Sequence, residues 1–250
     1  MGVIQKQSIS GTLYSYLGVI LGFFITGILF PRILSTKEVG LLRILVSYSV
    51  IFAQFASLGF NSVSIKLFPY FRDLKKKHHG FLGLAFLASL AGFILAALIY
   101  LSLRSYFLHQ ATEKSALFLD YFYYVIPLIF FTLLFGILDT YYRVLFNAVK
   151  GIVYKEVVQR LIILVAILLY LFKVIDFKMF VILYVVAFVS PSLFLLGALI
   201  KDKQFFIKPD LTFIDKKMAS EMVSVGVFGI LASFSGVLVQ NIDAIMVNNY

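Results

Sequence analysis

The sequence predicts an all-α polytopic membrane protein. Seven long stretches contain no Asp, Glu, Lys or Arg. Hydrophobic residues make up 62% of the 250-residue chain, charged residues make up 14%, and the mean hydropathy is +1.00. Charge this sparse cannot cover a soluble globule, so the apolar surface must face lipid. Because the apolar runs are continuous rather than alternating, they indicate helices and not a transmembrane β-barrel.

The seven stretches predict about seven transmembrane helices. They cover residues 7–30, 44–65, 80–103, 121–138, 161–172, 179–200 and 222–242. A helix needs about 20 apolar residues to cross the hydrocarbon core, and five of the seven stretches reach that length. The fifth is too short unless it extends back to Ile152. This extension adds Lys155, Glu156 and Arg160 to the helix, and Glu156 can pair with Arg160 four residues later. The charged face that these residues form cannot contact acyl chains.

Glycine and proline give three segments a distinct character. Gly18 and Gly22 in the first segment have the small-xxx-small spacing that lets a neighbouring helix approach closely. The fourth and sixth segments contain Pro127 and Pro191, each of which removes one backbone hydrogen bond and can kink its helix. We expect these two prolines to act as hinges if the protein is a transporter.

The distribution of basic residues predicts the orientation. Fifteen of the 22 Lys and Arg residues flank the segments on the N-terminal side of the membrane. Basic loops stay in the cytoplasm, so the N-terminus is expected inside and the seventh segment is expected to end outside. The net charge of +10 therefore indicates membrane topology and not nucleic-acid binding.

Several classes of function are disfavoured. The first segment is too long for a cleavable signal peptide. The chain has no cysteine and lacks phosphate-loop, zinc-protease and serine-hydrolase motifs, so no enzyme activity is predicted. His78 and His79 follow three lysines, with no further ligands nearby, so neither a metal site nor another cofactor is expected. This basic run is expected to lie on anionic lipid headgroups.

A few polar side chains lie within or beside the segments. Asp139 and Arg143 are four residues apart and form either a neutralised pair reaching the interface or a pair facing a cavity, where it would contact an anionic substrate or relay a proton. Asp243 has no local partner and either lies at the interface or faces a polar interior. Gln54 and Asn61 either line a cavity or, the favoured alternative, bond across helices.

Four stretches resemble, in order, motifs of the polysaccharide biosynthesis (O-antigen flippase-like) transporters, relatives of the multidrug extrusion proteins and lipid II flippases. Residues 30–42 (FPRILSTKEVGLL) are similar at Arg32, Leu34, Glu38 and Gly40. The other three are 56–69 (ASLGFNSVSIKLFP), 142–151 (YRVLFNAVKG) and 239–247 (VQNIDAIMV). Two positions depart from the pattern: Lys66 stands where arginine is more usual, and Ala244 stands where a basic residue often follows the aspartate.

The resemblance implies a first six-helix bundle over residues 1–217 and the start of a second bundle over 218–250, with Tyr250 as a truncation point. It also implies transport of polyprenyl-diphosphate-linked oligosaccharide across the bacterial inner membrane. Membrane lipids, polysaccharide polymerase and glycosyltransferases are the expected partners. A diphosphate calls for cationic residues, and the candidates closest to the motifs and helix ends are Arg32, Arg43, Lys66, Arg143 and Lys150.

Two alternatives remain. A cation-coupled multidrug exporter of the same superfamily would rely on buried acids, whereas basic residues are in excess at the segment ends. A membrane-embedded glycosyl- or acyltransferase would need acidic or histidine residues clustered at one membrane face, and the sequence shows no such cluster.

Overall fold

The computed structural model describes residues 2–105 and 116–248, apart from the side chains of residues 3, 4, 116, 234, 235 and 237–248. Over these residues the chain consists of helices and connecting turns, with no β-strand, which confirms the predicted all-α class. The long helices are α1 (residues 3–33), α2 (Thr36–Ala56), α3 (Phe60–Phe71), α4 (Phe81–Ser102), α5 (Val125–Val144), α6 (residues 149–171), α7 (Phe177–Lys201) and α8 (Lys216–Asn248).

Two of these helices contain an internal π-helical stretch. Helix α1 is α-helical over Val3–Gly22 and Phe30–Ile33, with the π-helix Phe23–Leu29 between them. Helix α6 is α-helical over Val149–Ile152 and Gln159–Leu171, with the π-helix Val153–Val158 between them. The fifth segment therefore extends back beyond Ile152, as its length required.

Five stretches of the described chain are long and apolar enough to cross a membrane: Gln5–Ile33, Thr36–Ala56, Lys77–Ser102, Phe122–Val144 and Phe177–Lys201. Helix α6 has comparable length but carries Lys150, Lys155, Glu156 and Arg160. Since charged side chains at this depth are costly in lipid, α6 must be shielded by its neighbours or by water.

The helices alternate in direction, except that α3 continues in the direction of α2 beyond the break between them. At one end of the bundle Gln7 bonds to the main chain of Phe146 and Ala148, and Lys150 pairs with Asp202. We call this end the basic face; it is formed by the N-terminus and residues 72–80, 145–148 and 202–215. Helix α1 packs on α6, α6 on α7, α7 on α5, α5 on α2, and α2 on both α4 and α8.

The first turn of α2 explains one of the family-like motifs. Ser35 is its N-cap, and the Glu38 carboxylate accepts hydrogen bonds from the Ser35 main-chain N–H (2.7 Å) and hydroxyl (2.8 Å). The Glu38 N–H donates back to the Ser35 hydroxyl at 3.4 Å, completing a capping box. Leu34 is buried just before it. Leu34 and Glu38, two of the four positions that match the family motif, thus fix the sharp turn between α1 and α2.

The expectation of one continuous helix over residues 44–65 is wrong. The chain breaks into α2 and α3 at Leu58 and Gly59, whose φ angles are 47° and 70°. A Cβ on Gly59 would lie 2.0 Å from the Gly226 carbonyl oxygen of α8, and a Cβ on Gly92 of α4 would lie 2.1 Å from the Ala56 oxygen. Helices α8 and α4 therefore both pack directly against the main chain at this break. Hydropathy alone does not reveal such contacts.

The linker 202–215 docks on the turn that precedes α4. His79 Nδ1 lies 3.1 Å from Asp210 Oδ2, and the His79 ring stacks on Phe213 at 3.7 Å between centroids. His78 Nε2 lies 3.2 Å from Gln204 Oε1. Both histidines are buried by these contacts, while Lys75, Lys76 and Lys77 are exposed. Their association with lipid headgroups stays a prediction.

The two prolines occupy different environments. Pro127 lies in the first turn of α5, after the 3-10 turn Phe122–Tyr124. Pro191 lies inside α7, and the Ser190 hydroxyl donates at 2.8 Å to the Ala187 carbonyl, the acceptor that a proline leaves without its usual partner. The hinge roles of both prolines stay predictions, as does the domain boundary at residue 217.

Replacing Gly59 with alanine should destabilise the protein. The left-handed conformation costs an L-residue about 1–2 kcal/mol, and the added methyl group would also push α3 away from α8. We expect a lower thermal unfolding midpoint in detergent, measured by circular dichroism. Gly197→Ala is the matched control: its Cβ meets nothing within 4 Å, and alanine should stabilise the helix by about 0.5–1 kcal/mol. Equal midpoints for the two variants would contradict the tight contact.

Stability should depend on pH through the docked linker. Hydrogen bonds from the Thr212 hydroxyl and from His79 hold the pKa of the Asp210 carboxyl below its usual value of 3.8. A depressed folded-state pKa means that ionised Asp210 stabilises the folded state above pH 4 and that this contribution disappears as the pH falls further. Between pH 5 and pH 3 the unfolding midpoint should fall less in Asp210→Asn than in the native protein. Asp120→Asn, on the opposite side of the bundle, should follow the native profile.

Candidate functional site

Two cavities lie in succession along one face of α1. The first is a cavity of about 720 Å³ near the basic face, and the second, of about 520 Å³, lies deeper. Ser8, Thr12, Ser15 and Val19 line the first cavity, and Val19, Gly22, Thr26 and Phe30 line the second. These positions repeat every three or four residues, so they form one stripe of the helix.

The first cavity is rich in hydroxyl groups. Gln7, Ser8, Thr12, Ser15 and Tyr16 of α1 face Arg143 and Phe146 at the end of α5, with Ala148 and Ile152 leading into α6. Hydroxyl and amide groups can both donate and accept hydrogen bonds, which suits a polyhydroxylated ligand. This cavity therefore combines neutral polar groups with one cation, Arg143.

The second cavity is the charged one. Lys155, Glu156, Gln159 and Arg160 line it from α6, and Tyr184 and Phe188 line it from α7. Arg160 stands near the middle of α6, and Gly22 faces it from near the middle of α1. Charged side chains at this depth are expensive in lipid and characteristically face a polar cavity.

Both π-helical stretches adjoin this second cavity. Phe23 and Thr26 belong to the π-helix of α1, and Lys155 and Glu156 belong to that of α6. The wider helical turn leaves backbone hydrogen bonds misaligned, and such stretches recur at functional sites. The Thr26 hydroxyl donates at 2.8 Å to the Gly22 carbonyl oxygen.

Glycines of α1 make room for the charged turn of α6. A Cβ on Gly18 would lie 2.7 Å from Glu156 Cβ, and a Cβ on Gly22 would lie 1.7 Å from Arg160 Nη1. Arg160 donates to Glu156 Oε2 at 2.5 Å and to the Gly18 carbonyl oxygen. The predicted small-xxx-small spacing and the predicted Glu156–Arg160 pair therefore meet at one interface.

A second ion pair lies where α5 and α6 meet. Asp139 Oδ2 is 2.6 Å from Arg143 Nη2, and the Asp139 side chain is only 9% exposed whereas that of Arg143 is 58% exposed. A Cβ on Gly151 would lie 1.7 Å from Asp139 Oδ1, which has no hydrogen-bond partner among the described residues. The Arg143 guanidinium thus neutralises the Asp139 carboxylate through Oδ2, and Arg143 also lines the first cavity.

The structure separates the cationic candidates. Arg143 alone of the five lines a described cavity. Lys150 pairs with Asp202 and lies 5.1 Å above the Tyr142 ring, and this pair lowers the pKa of the Asp202 carboxyl. Lys66 pairs with Glu221 of α8 at 3.4 Å. Arg32 and Arg43 are exposed near the opposite end of the bundle.

The remaining candidates also differ in position. The Thr140 hydroxyl donates to Asn61 Oδ1 at 3.4 Å, which places Asn61 in a contact between α3 and α5. The Gln54 side chain is partly buried and lines neither described cavity. Asp243 belongs to α8, but its side chain lies outside the described residues.

Sequence reasoning left Lys155, Gln159 and Arg160 out of the candidate site. The predicted extension of the fifth segment includes Lys155 and Arg160, and the structure confirms that both lie within a helix. The short fifth segment was the available signal, since only a shielded helix can carry charges over its first half. Among the described residues, no group of three His, Cys, Asp or Glu side chains is placed to hold a metal ion.

Cysteine labelling should distinguish the cavities from the lipid-facing surface. The chain has no cysteine, so single replacements give unambiguous signals. Ser15→Cys and Thr26→Cys, one in each cavity, should react with a water-soluble maleimide because water is needed to form the thiolate. Ala91→Cys, exposed at the middle of α4, should stay unlabelled in a bilayer. Equal labelling at all three positions would show that the α1 stripe is no wetter than the lipid face.

Comparison with known proteins bears on the identity of this bundle. The family model described as polysaccharide biosynthesis protein matches residues 5–250, nearly the whole chain. No curated protein and no solved structure shows a significant match. The match confirms the resemblance found in the motifs, and members of the family are generally transporters. A polytopic helical protein with this match belongs to the polysaccharide biosynthesis protein family.

Proposed function

We propose that this protein moves a polyprenyl-diphosphate-linked oligosaccharide from the cytoplasmic to the outer leaflet of the bacterial inner membrane. The oligosaccharide would be a repeat unit of O-antigen, capsule or exopolysaccharide. Family membership supports transport linked to polysaccharide biosynthesis. The observation that carries the finer proposal is the α1 stripe, along which a hydroxyl-rich cavity leads to a cationic one.

The two cavities suit the two polar parts of such a substrate. A diphosphate is best held by guanidinium and ammonium groups, which Arg160 and Lys155 supply in the deep cavity and Arg143 supplies in the first one. Sugar hydroxyls pair with neutral donors and acceptors, which Thr12 and Ser15 supply. The polyprenyl chain would remain in the lipid beside the protein, because burying it would gain nothing over the bilayer.

The basic face indicates how the protein is oriented in the membrane. Lys75, Lys76 and Lys77 lie there with most of the other loop cations, so this face is proposed to be cytoplasmic, with the N-terminus inside. The first cavity would then meet the substrate on the side where lipid-linked units are made. Glycosyltransferases would supply the substrate and a polysaccharide polymerase would consume it. An ion gradient, the membrane potential or the substrate gradient would drive the movement.

The charge of the cavities argues against the alternatives. A cation-coupled multidrug exporter would require available acids, but Asp139 and Glu156 are each paired with an arginine four residues later. Cations also outnumber acids along the cavity walls. For a glycosyl- or acyltransferase, the described cavity linings offer no pair of acidic side chains and no histidine to act as general acid and base.

Arg160→Gln should impair transport in a strain that depends on the full gene. Losing a charged hydrogen bond costs about 1.5–3 kcal/mol, so activity should fall about 10- to 100-fold. Polyprenyl-linked oligosaccharide should accumulate in the cytoplasmic leaflet, measured by lipid extraction and accessibility to an added glycosidase. Lys178→Gln, an exposed cation at the opposite end, should complement the deletion. Unchanged lipid intermediates together with altered drug resistance would overturn the proposal.

A further inference from the structure

Glu156 is the single acidic side chain in the described lining of the deep cavity. Its carboxylate occupies Arg160 at 2.5 Å, and both side chains remain about one-quarter exposed to the cavity, at 26% and 27%. Arg160 is the cation whose planar head suits a diphosphate best. In the structure, therefore, the preferred anchor for an anionic ligand already holds an anion.

The surroundings fix Arg160 more firmly than Glu156. Both side chains lie against glycines of α1, Glu156 beside Gly18 and Arg160 beside Gly22, but the Arg160 guanidinium also donates a hydrogen bond to the Gly18 carbonyl oxygen. Among the described residues, Arg160 is the hydrogen-bonding partner of the Glu156 carboxylate. A carboxylate on a flexible side chain can swing away while the guanidinium keeps its backbone contact.

We propose that Glu156 is an internal competitor for the diphosphate. It neutralises Arg160 when the cavity is empty, is displaced when the diphosphate binds, and pairs with Arg160 again as the substrate leaves. This inference rests on the proposed function, because it assigns a second role within the same site. It makes Glu156 a determinant of substrate release, which the family match does not assign.

Charge explains why a competitor is useful at this depth. With Glu156 ionised, the Lys155–Glu156–Arg160 group carries one net positive charge, and displacement of the carboxylate exposes two cations to the diphosphate. An unpaired guanidinium facing an empty cavity would be costly in the bilayer. A guanidinium without a competitor would also retain the diphosphate, so uniformly tight binding would slow transport instead of speeding it.

A purely structural role for the Glu156–Arg160 pair predicts a different result. If the pair only braces α6 against α1, removing the carboxylate lowers stability and leaves the affinity for diphosphate unchanged or weaker. If Glu156 competes, the same change raises the affinity. The two roles therefore predict opposite signs for one measured quantity.

The test is binding of inorganic diphosphate to the full protein in nanodiscs, measured by isothermal titration calorimetry. Glu156→Gln keeps the size of the side chain and removes its charge, so the dissociation constant should fall about tenfold. Glu156→Asp keeps the charge but shortens the reach to Arg160, so it should tighten binding by a smaller factor. Glu221→Gln removes an acid that likewise pairs with a cation, Lys66, but lies outside the cavities, and it should leave binding unchanged.

Arg160→Gln separates this inference from the proposed function. Weaker binding in Arg160→Gln with tighter binding in both Glu156 variants supports the competitor. Weaker binding in Arg160→Gln with unchanged or weaker binding in the Glu156 variants overturns the competitor but keeps the site. If Arg160→Gln also leaves diphosphate binding unchanged, the assignment of this cavity to the diphosphate is itself wrong. Should Glu156→Gln fail to fold, the sign of the change in Glu156→Asp decides.

The proposed role of Glu156 in substrate release can also be tested by measuring the rate of flipping. Glu156→Gln should move substrate more slowly than the native protein despite tighter binding, when flipping is measured in liposomes with a fluorescent polyprenyl-diphosphate sugar. Faster flipping in this variant would contradict a role in release.

Discussion

The structure depends on how four charged residues of α6 are kept out of lipid. Lys150 turns to Asp202 at the basic face, Lys155 and Glu156 face the deep cavity, and Arg160 reaches the backbone of α1. The contacts of Glu156 and Arg160 require α1 to approach α6 closely, which Gly18 and Gly22 permit. The cost of a bare charge in the bilayer thus determines the position of α1, and the position of α1 creates both cavities.

Glycines at helix crossings also fix the packing on the other side of the bundle. Gly59, Gly92 and Gly226 bring α3, α4 and α8 to backbone contact at the break after α2. There the close approach interrupts a helix, whereas at the α1–α6 contact it accommodates an ion pair. In a membrane, where apolar side chains gain little by leaving lipid, such close approaches are a main source of specific packing.

Properties that depend on local sequence were predictable, and those that depend on distant partners were not. The helix positions and the meeting of the basic loops at one face follow from apolar runs and charge counts. Gly18–Gly22 and Glu156–Arg160 were each recognised, but only the fold shows that they touch. The burial of His78 depends on Gln204, 126 residues later, and the break at Gly59 depends on α8. The charges of α6 were recognised as a face that must avoid acyl chains, but only the fold shows that α1 and the deep cavity shield them.

The docked linker limits how α8 can move. Phe213 stacks on His79 and contacts Phe71 at 5.1 Å, while α8 begins only three residues later at Lys216. Three residues span at most about 10 Å, so the start of α8 is tethered within that distance of Phe213. A long displacement along the membrane normal is thereby excluded while the stack is intact. Further along the same 33-residue helix, Gly226 meets Gly59 at backbone distance, so α8 is held at two points, and the His79–Phe213 stack is the one nearer the basic face.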